Sequence, residues 1–166
     1  MDLTRIARHL WVGGPDVKRL FPAASLESIA RTVAASEAGH NGEIRFAVEA
    51  SLDLGPLLRG VTARERAVQV FSDLRVWDTE ANNGVLIYLL VADRDVEILA
   101  DRGVHAKVGA EGWESICKAM EAEFHGGRFE SGVIAGIEAV GRHLQAHFPR
   151  TGGDRNELPD APAVLR

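Results

Sequence analysis

The chain has almost no cysteine, and this excludes two common classes of small protein. Among its 166 residues there is a single cysteine, Cys117. An internal disulfide therefore cannot form, and a metal cage built from several thiolates is excluded as well. Cys117 occupies a core position of a predicted helix, which favours a small buried side chain over a nucleophile.

The sequence also lacks an excess of positive charge and long apolar runs. It carries 19 Lys and Arg against 24 Asp and Glu, so a basic surface for nucleic acid is not expected. No segment reaches the ~18 apolar residues of a membrane span, and the start "MDLTRIARHLWVGG" has no apolar signal core. We therefore expect a cytoplasmic protein with no transmembrane segment and no nucleic-acid partner.

The apolar residues that are present indicate one α/β domain. "EIRFAVEAS" alternates as a half-buried strand does, and "GVLIYLLVA" is apolar throughout, as in a strand covered on both faces. A turn at Asp93-Arg94-Asp95 leads back into "VEILAD", which predicts a hairpin. A helix between the first two strands implies a right-handed parallel crossover. The predicted fold is a Rossmann-like αβα sandwich with a mixed three- to four-stranded sheet and helices on both faces.

Both ends of the chain differ from this central part. Apolar residues recur at helical spacing near the start, at Leu3, Ile6, Leu10 and Trp11. We expect residues 1–22 to form an amphipathic helix and linker whose apolar stripe packs on the domain, and attachment to a membrane surface or a partner is the alternative. Residues 23–148 would form the α/β domain, and residues 149–166, rich in Pro, Gly and Asp, an extended tail.

Acidic and amide residues crowd one end of the predicted sheet. Because the first two strands run parallel and the third runs back, the starts of the first two and the end of the third share that end. The flanking segments bring oxygen and imidazole groups there: Glu37, His40, Glu43, Asp78, Asn82 and Asp101. Glu37 continues the core-facing stripe of its helix, which is an unusual place for a carboxylate.

These residue types are compatible with two interpretations. Oxygen ligands with an occasional imidazole suit calcium or magnesium, and such a cation polarises a phosphoryl oxygen or activates water. Asp78, which precedes an amide-rich turn, is then the candidate catalytic residue. In the alternative, Asp78 caps a turn, Asn82 supplies a left-handed backbone conformation, and Glu37 and Asp101 form ion pairs. The sequence leaves a divalent-cation site and a structural role as competing predictions.

The same stretch resembles the TPM-domain family, also called TPM phosphatase. "VFSDLRVWDTEANNGVLIYLLVADRDVEILADRGV" and "FHGGRFESGVIAGIEAVGRHL" share its acidic turn, Asn-Gly-Val-Leu, hydrophobic strand, charged hairpin and following glycine. The resemblance covers residues 24–147 and is greatest to the short bacterial branch without a signal peptide. It implies an α/β sandwich, weak acid phosphatase activity in some members, and calcium or magnesium binding in others.

The chain departs from the family pattern at two positions. Asp101-Arg102-Gly103 stands where many members have Gly-Tyr-Gly, and Asn82 stands where many have Asp. Members are linked to membrane-protein maintenance, usually with a signal peptide and a membrane helix. The resemblance therefore implies either a divalent-cation-dependent phosphatase or a non-enzymatic adaptor that meets a protein partner at the periphery of the inner membrane.

Overall fold

The computed structural model describes residues 2–152 and 155–165. Within them a four-stranded sheet has the order β3-β2-β1-β4. The strands are β1 (Glu43–Glu49), β2 (Gly84–Leu90), β3 (Asp95–Ala100) and β4 (Ala163–Leu165). β1 is parallel to β2 and β4, and β3 is antiparallel to β2. The predicted mixed sheet and the predicted hairpin are both confirmed.

Seven helices surround the sheet within these residues. They are α1 (Leu3–Trp11), α2 (Gly14–Leu20), α3 (Ala23–Glu37), α4 (Leu54–Leu58), α5 (Ala63–Asp73), α6 (Arg102–His125) and α7 (Phe129–His147). Residues of α2, α3, α6 and α7 pack on one face of the sheet, and those of α4 and α5 on the other. Helices therefore cover both faces, as predicted. Over the described part of the chain, no helix combines the length and the apolar character needed to cross a membrane.

Alternate residues of the strands contribute to two separate cores. Phe46 and Ile87 belong to the larger core, beneath α3, α6 and α7, while Leu86 and Tyr88 belong to the smaller one, beneath α4 and α5. β1 is buried on both faces, so the prediction of a half-buried strand is wrong. Helices and the C-terminal segment cover the face that its polar residues occupy.

The C-terminal segment lies along β1. Residues 163–165 form β4, which pairs with Ala47–Glu49, and the Arg45 guanidinium donates hydrogen bonds to the carbonyl oxygens of Pro159 and Ala161. Leu158 is buried in the smaller core. The segment whose sequence predicts an extended tail thus completes one edge of the sheet.

Candidate functional site

The predicted end of the sheet does gather acidic side chains. Glu43 begins β1 and lies opposite Gly84, which begins β2. Asp101 comes directly after β3 in the chain and contacts Gly84 from the other side. The Gly84 N–H donates to Asp101 Oδ2 at 2.9 Å, and the Asp101 N–H donates to the Gly84 carbonyl at 2.9 Å. Burial raises the pKa of Asp101, although hydrogen bonds with Gly84 and Thr79 oppose this. Asp101 therefore closes the end of the β2–β3 hairpin.

Glu37 and Glu43 line a pocket of about 180 Å³ beside the start of β1. Glu37 is buried at the end of α3, where its Oε1 accepts a hydrogen bond from the Ile44 N–H at 2.7 Å. Burial, together with the negative charges of Glu43 and Asp160, raises the pKa of Glu37 to about 8. These effects favour the protonated form of Glu37, although the hydrogen bond from Ile44 opposes them. Glu43 Oε2 accepts from the Leu158 N–H at 2.9 Å.

The C-terminal segment supplies pocket residues that sequence reasoning missed. Arg150, Asn156 and Asp160 line the same pocket as Glu37. Arg150 Nη1 donates to the Glu37 carbonyl oxygen at 2.9 Å, and Asn156 Nδ2 donates to Asp160 Oδ1 at 2.6 Å. The acidic "NELPD" stretch was the available signal. Its separation from Glu37 along the chain concealed the contact.

The other predicted site residues do not line this pocket. His40 is buried: its Nδ1 accepts from the Gly42 N–H at 3.2 Å, and its Nε2 lies 3.0 Å from Ser36 Oγ. Asp78 and Asn82 are exposed in the turn before β2. Asn82 has a φ of 50°, the left-handed conformation that asparagine tolerates. His40 thus joins α3 to the turn that precedes β1, and Asn82 shapes the turn before β2.

The six predicted metal ligands are distributed over several surroundings. Glu37 and Glu43 share the pocket, and His40 forms hydrogen bonds with residues close to it in sequence. Asp101 binds the Gly84 backbone, and Asp78 and Asn82 lie in the exposed turn. Within residues 2–152 and 155–165, no three His, Cys, Asp or Glu side chains are arranged to hold a metal ion. A divalent-cation site is therefore not preformed in this part of the chain.

A second buried acidic network surrounds Glu49 at the end of β1. Its carboxylate accepts two hydrogen bonds from the Arg66 guanidinium, both 2.9 Å, and one from Tyr88 Oη at 2.5 Å. Burial, followed by the bond to Glu49, raises the pKa of Tyr88. A bidentate guanidinium pair plus a phenol satisfies the buried carboxylate. The strand alternation placed Glu49 on a polar face and gave no indication of this network.

α1 is fixed to the domain by its polar side. The Leu52 N–H donates to Nδ1 of the buried His9 at 2.9 Å, and His9 Nε2 lies 3.0 Å from Asp93 in the β2–β3 turn. Arg5 and Arg8 lie 2.9 and 3.5 Å from the same carboxylate. Burial opposes ionisation of Asp93, but the bonds from Arg5 and His9 outweigh it and lower its pKa. The half-buried carboxylate thus attracts the cationic side of the helix.

The apolar side of α1 faces away from the domain. Leu3, Leu10 and Trp11 are 70%, 69% and 91% exposed. α4 contacts α1 and presents Leu54 and Leu58, which are 49% and 55% exposed. Within the predicted stripe Ile6 is half-buried, so the prediction that the stripe packs on the domain is wrong for Leu3, Leu10 and Trp11. These five exposed residues, which lie on two helices in contact, are named here the α1–α4 apolar face. Exposed apolar patches are typical of surfaces that bind a partner or a membrane.

Comparison with known proteins agrees with this architecture. The family model of the TPM domain matches residues 15–143. The BA42 protein of the psychrophilic bacterium Bizionia argentinensis is similar in structure, with a TM-score of 0.77 and 30% sequence identity, over 87% of this chain and 95% of that protein. The N-terminal domain of a P. gingivalis protein shares the fold, with a TM-score of 0.63 and 18% identity, over 78% of this chain and 79% of that one. No protein of curated function gives a significant match. Because the family match spans most of the chain and includes the Asn-Gly-Val-Leu strand, the chain belongs to the TPM-domain family.

Proposed function

We propose that this protein is a non-enzymatic TPM domain that attaches to the cytoplasmic face of the inner membrane through the α1–α4 apolar face. The observation that carries the proposal is the orientation of α1. Its polar side is held by Asp93, while Leu10 and Trp11 stand exposed. Leu and Trp on one side and basic residues on the other make up the composition of a helix that lies in a membrane interface.

The exposed side chains would gain free energy at a bilayer surface. Burying a leucine side chain is worth about 1.5–3 kcal/mol. Tryptophan favours the headgroup region because its ring is apolar while its N–H remains hydrated. Leu3, Leu10 and Trp11 together would therefore support a reversible attachment. α1 lies outside residues 15–143, the part that matches the family model, so this attachment would be a property added to the common domain.

The charge near the face favours an anionic lipid surface. Residues 2–22 and 53–60 contain five Lys or Arg and three Asp, and Asp93, which pairs with Arg5 and Arg8, reduces their net charge from +2 to +1, whereas the whole chain carries −5. Lys18, Arg19 and Arg59 are exposed there. Anionic lipids attract such basic residues. The asymmetry would also orient the protein, since the more acidic remainder is repelled from the same surface.

Replacing Leu10 and Trp11 together with serine is expected to weaken vesicle binding at least about tenfold, because their apolar burial is lost. The measurement is co-sedimentation with vesicles of equal parts phosphatidylcholine and phosphatidylglycerol. Trp77→Ser is the matched control, since Trp77 is 50% exposed but lies elsewhere. Vesicles of phosphatidylcholine alone should bind the wild-type protein more weakly.

Two results would contradict the membrane proposal. One is equal sedimentation of the double variant and the Trp77→Ser control. The other is no sedimentation with either vesicle while the same double change abolishes binding of a protein partner. The second result would assign the α1–α4 apolar face to a protein contact.

Divalent-cation binding is a second candidate function, favoured by the carboxyl groups of Glu37, Glu43 and Asp160 around one pocket. Carboxylates gathered without a cation repel one another and retain a proton, as Glu37 does. A cation would require them to turn toward the pocket, because no ligand cage is preformed among the described residues. Bound calcium or magnesium would supply Lewis acidity for phosphomonoester hydrolysis. Asp78, the proposed catalytic residue, lies in the exposed turn outside this pocket, so it would act on a substrate that extends beyond the pocket.

Under this candidate, calcium or magnesium should raise the melting temperature more above pH 8 than well below it, because the Glu37 proton competes with the cation. At one hundred times the dissociation constant the gain is about 2.7 kcal/mol. Glu43→Gln should remove the gain, and Glu80→Gln, an exposed control, should keep it. Absence of any cation response at both pH values would exclude the candidate.

Hydrolysis needs its own measurement, which is turnover of a chromogenic phosphate ester. If Asp78 is catalytic, Asp78→Ala should lower turnover by ~10²-fold, the typical contribution of a positioned acid or base. The melting temperature of the variant should stay unchanged because Asp78 is exposed. If turnover survives Asp78→Ala, Asp78 is not catalytic. If turnover survives a chelator, the reaction does not need the cation.

A further inference from the structure

The edge strand β3 lies in a groove of about 690 Å³ between α5 and α6. α6 runs back along β3, and its Cys117 contacts the Ile98 backbone. Burial raises the pKa of Asp95, and the nearby negative charge of Glu121 on α6 adds to this effect. A strand edge flanked by a helix is the arrangement that binds extended peptides in several domain families.

Backbone groups of β3 face this groove. The Asp101 N–H donates to the Gly84 carbonyl of β2. In an antiparallel ladder, residues whose backbone groups point toward the partner strand alternate with residues whose backbone groups point away from it. Val96, Ile98 and Ala100 therefore direct their N–H and C=O groups away from β2. Among the hydrogen bonds of residues 2–152 and 155–165, the outward groups of Val96 and Ala100 show no partner.

Ile98 confirms the direction of these groups. Its carbonyl oxygen accepts from Arg64 Nη1 at 2.9 Å, and its N–H contacts the Cys117 thiol. The Arg64 side chain is 53% exposed, so it can turn aside. Unpaired strand edges pair readily with other chains, and a charged side chain laid across the edge is a common protection. Arg64 covers one outward residue of the three, and because Val96 and Ile98 are 2% exposed, side chains of α6 would also have to move aside before a strand could pair here.

A buried donor also lies beside the groove. Trp113 lines it and is 5% exposed, and its indole N–H has no acceptor within the described residues. An unsatisfied buried donor costs about 1–3 kcal/mol. An acceptor on a bound molecule would offset this cost.

The two ends of the groove carry opposite charges. Asp95 and Glu121 lie by the start of β3, whereas the exposed Arg102 and His105 line the groove beyond its end. The other charged residues of the groove pair with one another, Arg64 with Glu97 and Lys118 with Glu114. A peptide strand parallel to β3 would place its amino end by the acids and its carboxyl end by the bases. An antiparallel peptide would place both ends beside groups of like charge.

We propose that this groove binds an extended peptide, basic at its amino end and with a free carboxylate, which adds to the sheet as a further strand parallel to β3. Main-chain bonds to Val96 and Ala100 would supply affinity, and the charged ends would set direction. This site is separate from the α1–α4 apolar face and does not depend on the membrane proposal.

The probe is a phage-displayed library of short random peptides with free carboxyl ends, selected on the full chain. The expected selection is extended sequences with Lys or Arg several residues before the carboxyl end. A selected peptide should slow amide exchange of Val96 and Ala100, measured by NMR. The amides of Glu97 and Leu99, already paired with β2, should change little.

Two variants test the contacts. Ala100→Pro removes one outward N–H at an edge position that tolerates proline, and should weaken binding about fivefold. Arg102→Gln with His105→Gln should abolish the preference for a free over an amidated carboxyl end. Lys107→Gln, on the same helix but outside the groove, is the control.

Three results would overturn the proposal. The first is that no peptide is enriched on the wild-type protein relative to the Ala100→Pro protein. The second is that a peptide binds without slowing exchange of the Val96 and Ala100 amides. The third is that exchange of these amides slows at high protein concentration without any peptide, through self-association. The last result would assign the edge to a second copy of the chain. If Ala100→Pro fails to fold, the library is selected against the Arg102→Gln, His105→Gln protein instead, and amide protection in the wild type still decides.

Discussion

Replacing Glu49 with alanine is expected to lower the free energy of unfolding by about 3–5 kcal/mol, the usual loss when one partner of a buried ion pair is removed. Glu49 is 3% exposed and holds both Arg66 and Tyr88. Without it, the guanidinium and the phenol lose their acceptor beneath α5. Urea unfolding followed by circular dichroism measures the loss.

Two variants serve as controls for the Glu49 result. Tyr88→Phe removes one hydrogen bond and should cost about 0.5–1.5 kcal/mol. Glu97→Ala breaks the 3.2 Å pair with Arg64, whose side chain is 53% exposed, and should cost less than about 1 kcal/mol. A loss for Glu49→Ala as small as that of Glu97→Ala would show that the buried network contributes little.

Glu37→Gln is expected to stabilise the protein by about 2–4 kcal/mol above pH 8, after allowance for partial exposure. The pKa of Glu37 is 4.5 in the unfolded chain and about 8 in the folded one. Between these values the folded chain holds a proton that the unfolded chain has released, so stability falls as pH rises through this window. Glutamine carries no charge at any pH, and its amide oxygen can still accept from Ile44.

The measurement is the melting temperature of both proteins across that pH window. The two curves should converge near pH 4.5 and separate toward pH 8. Glu27→Gln is the matched control, since Glu27 lies on α3 with a side chain 74% exposed. Parallel pH curves for Glu37→Gln and the wild type would mean that Glu37 is already ionised at neutral pH.

Much of the sheet could be predicted from local patterns. "GVLIYLLVA" is apolar throughout, and a strand covered on both faces follows from that composition. The crossover rule then set the strand directions, and these placed Glu43 and Asp101 at one end of the sheet. Glu37 was identifiable as buried because helical spacing put it on the core-facing stripe.

The composition of the pocket could not be predicted in the same way. Asp160, Asn156 and Arg150 reach Glu37 only because the C-terminal segment crosses β1 before it forms β4. Such contacts join residues more than a hundred positions apart. A three-residue strand also leaves almost no periodicity to detect.

The sequence by itself determined the α/β class, the mixed sheet, the hairpin and the TPM resemblance, because each follows from periodicity or from a contiguous motif. Only the tertiary structure decided which side of α1 meets the domain. Amphipathic spacing shows that the helix has two sides, but the Asp93 carboxylate, far away in the chain, selects the side with Arg5 and His9. For the same reason Trp11 is exposed, and the surface on which the proposed function rests could not be read from the helix alone.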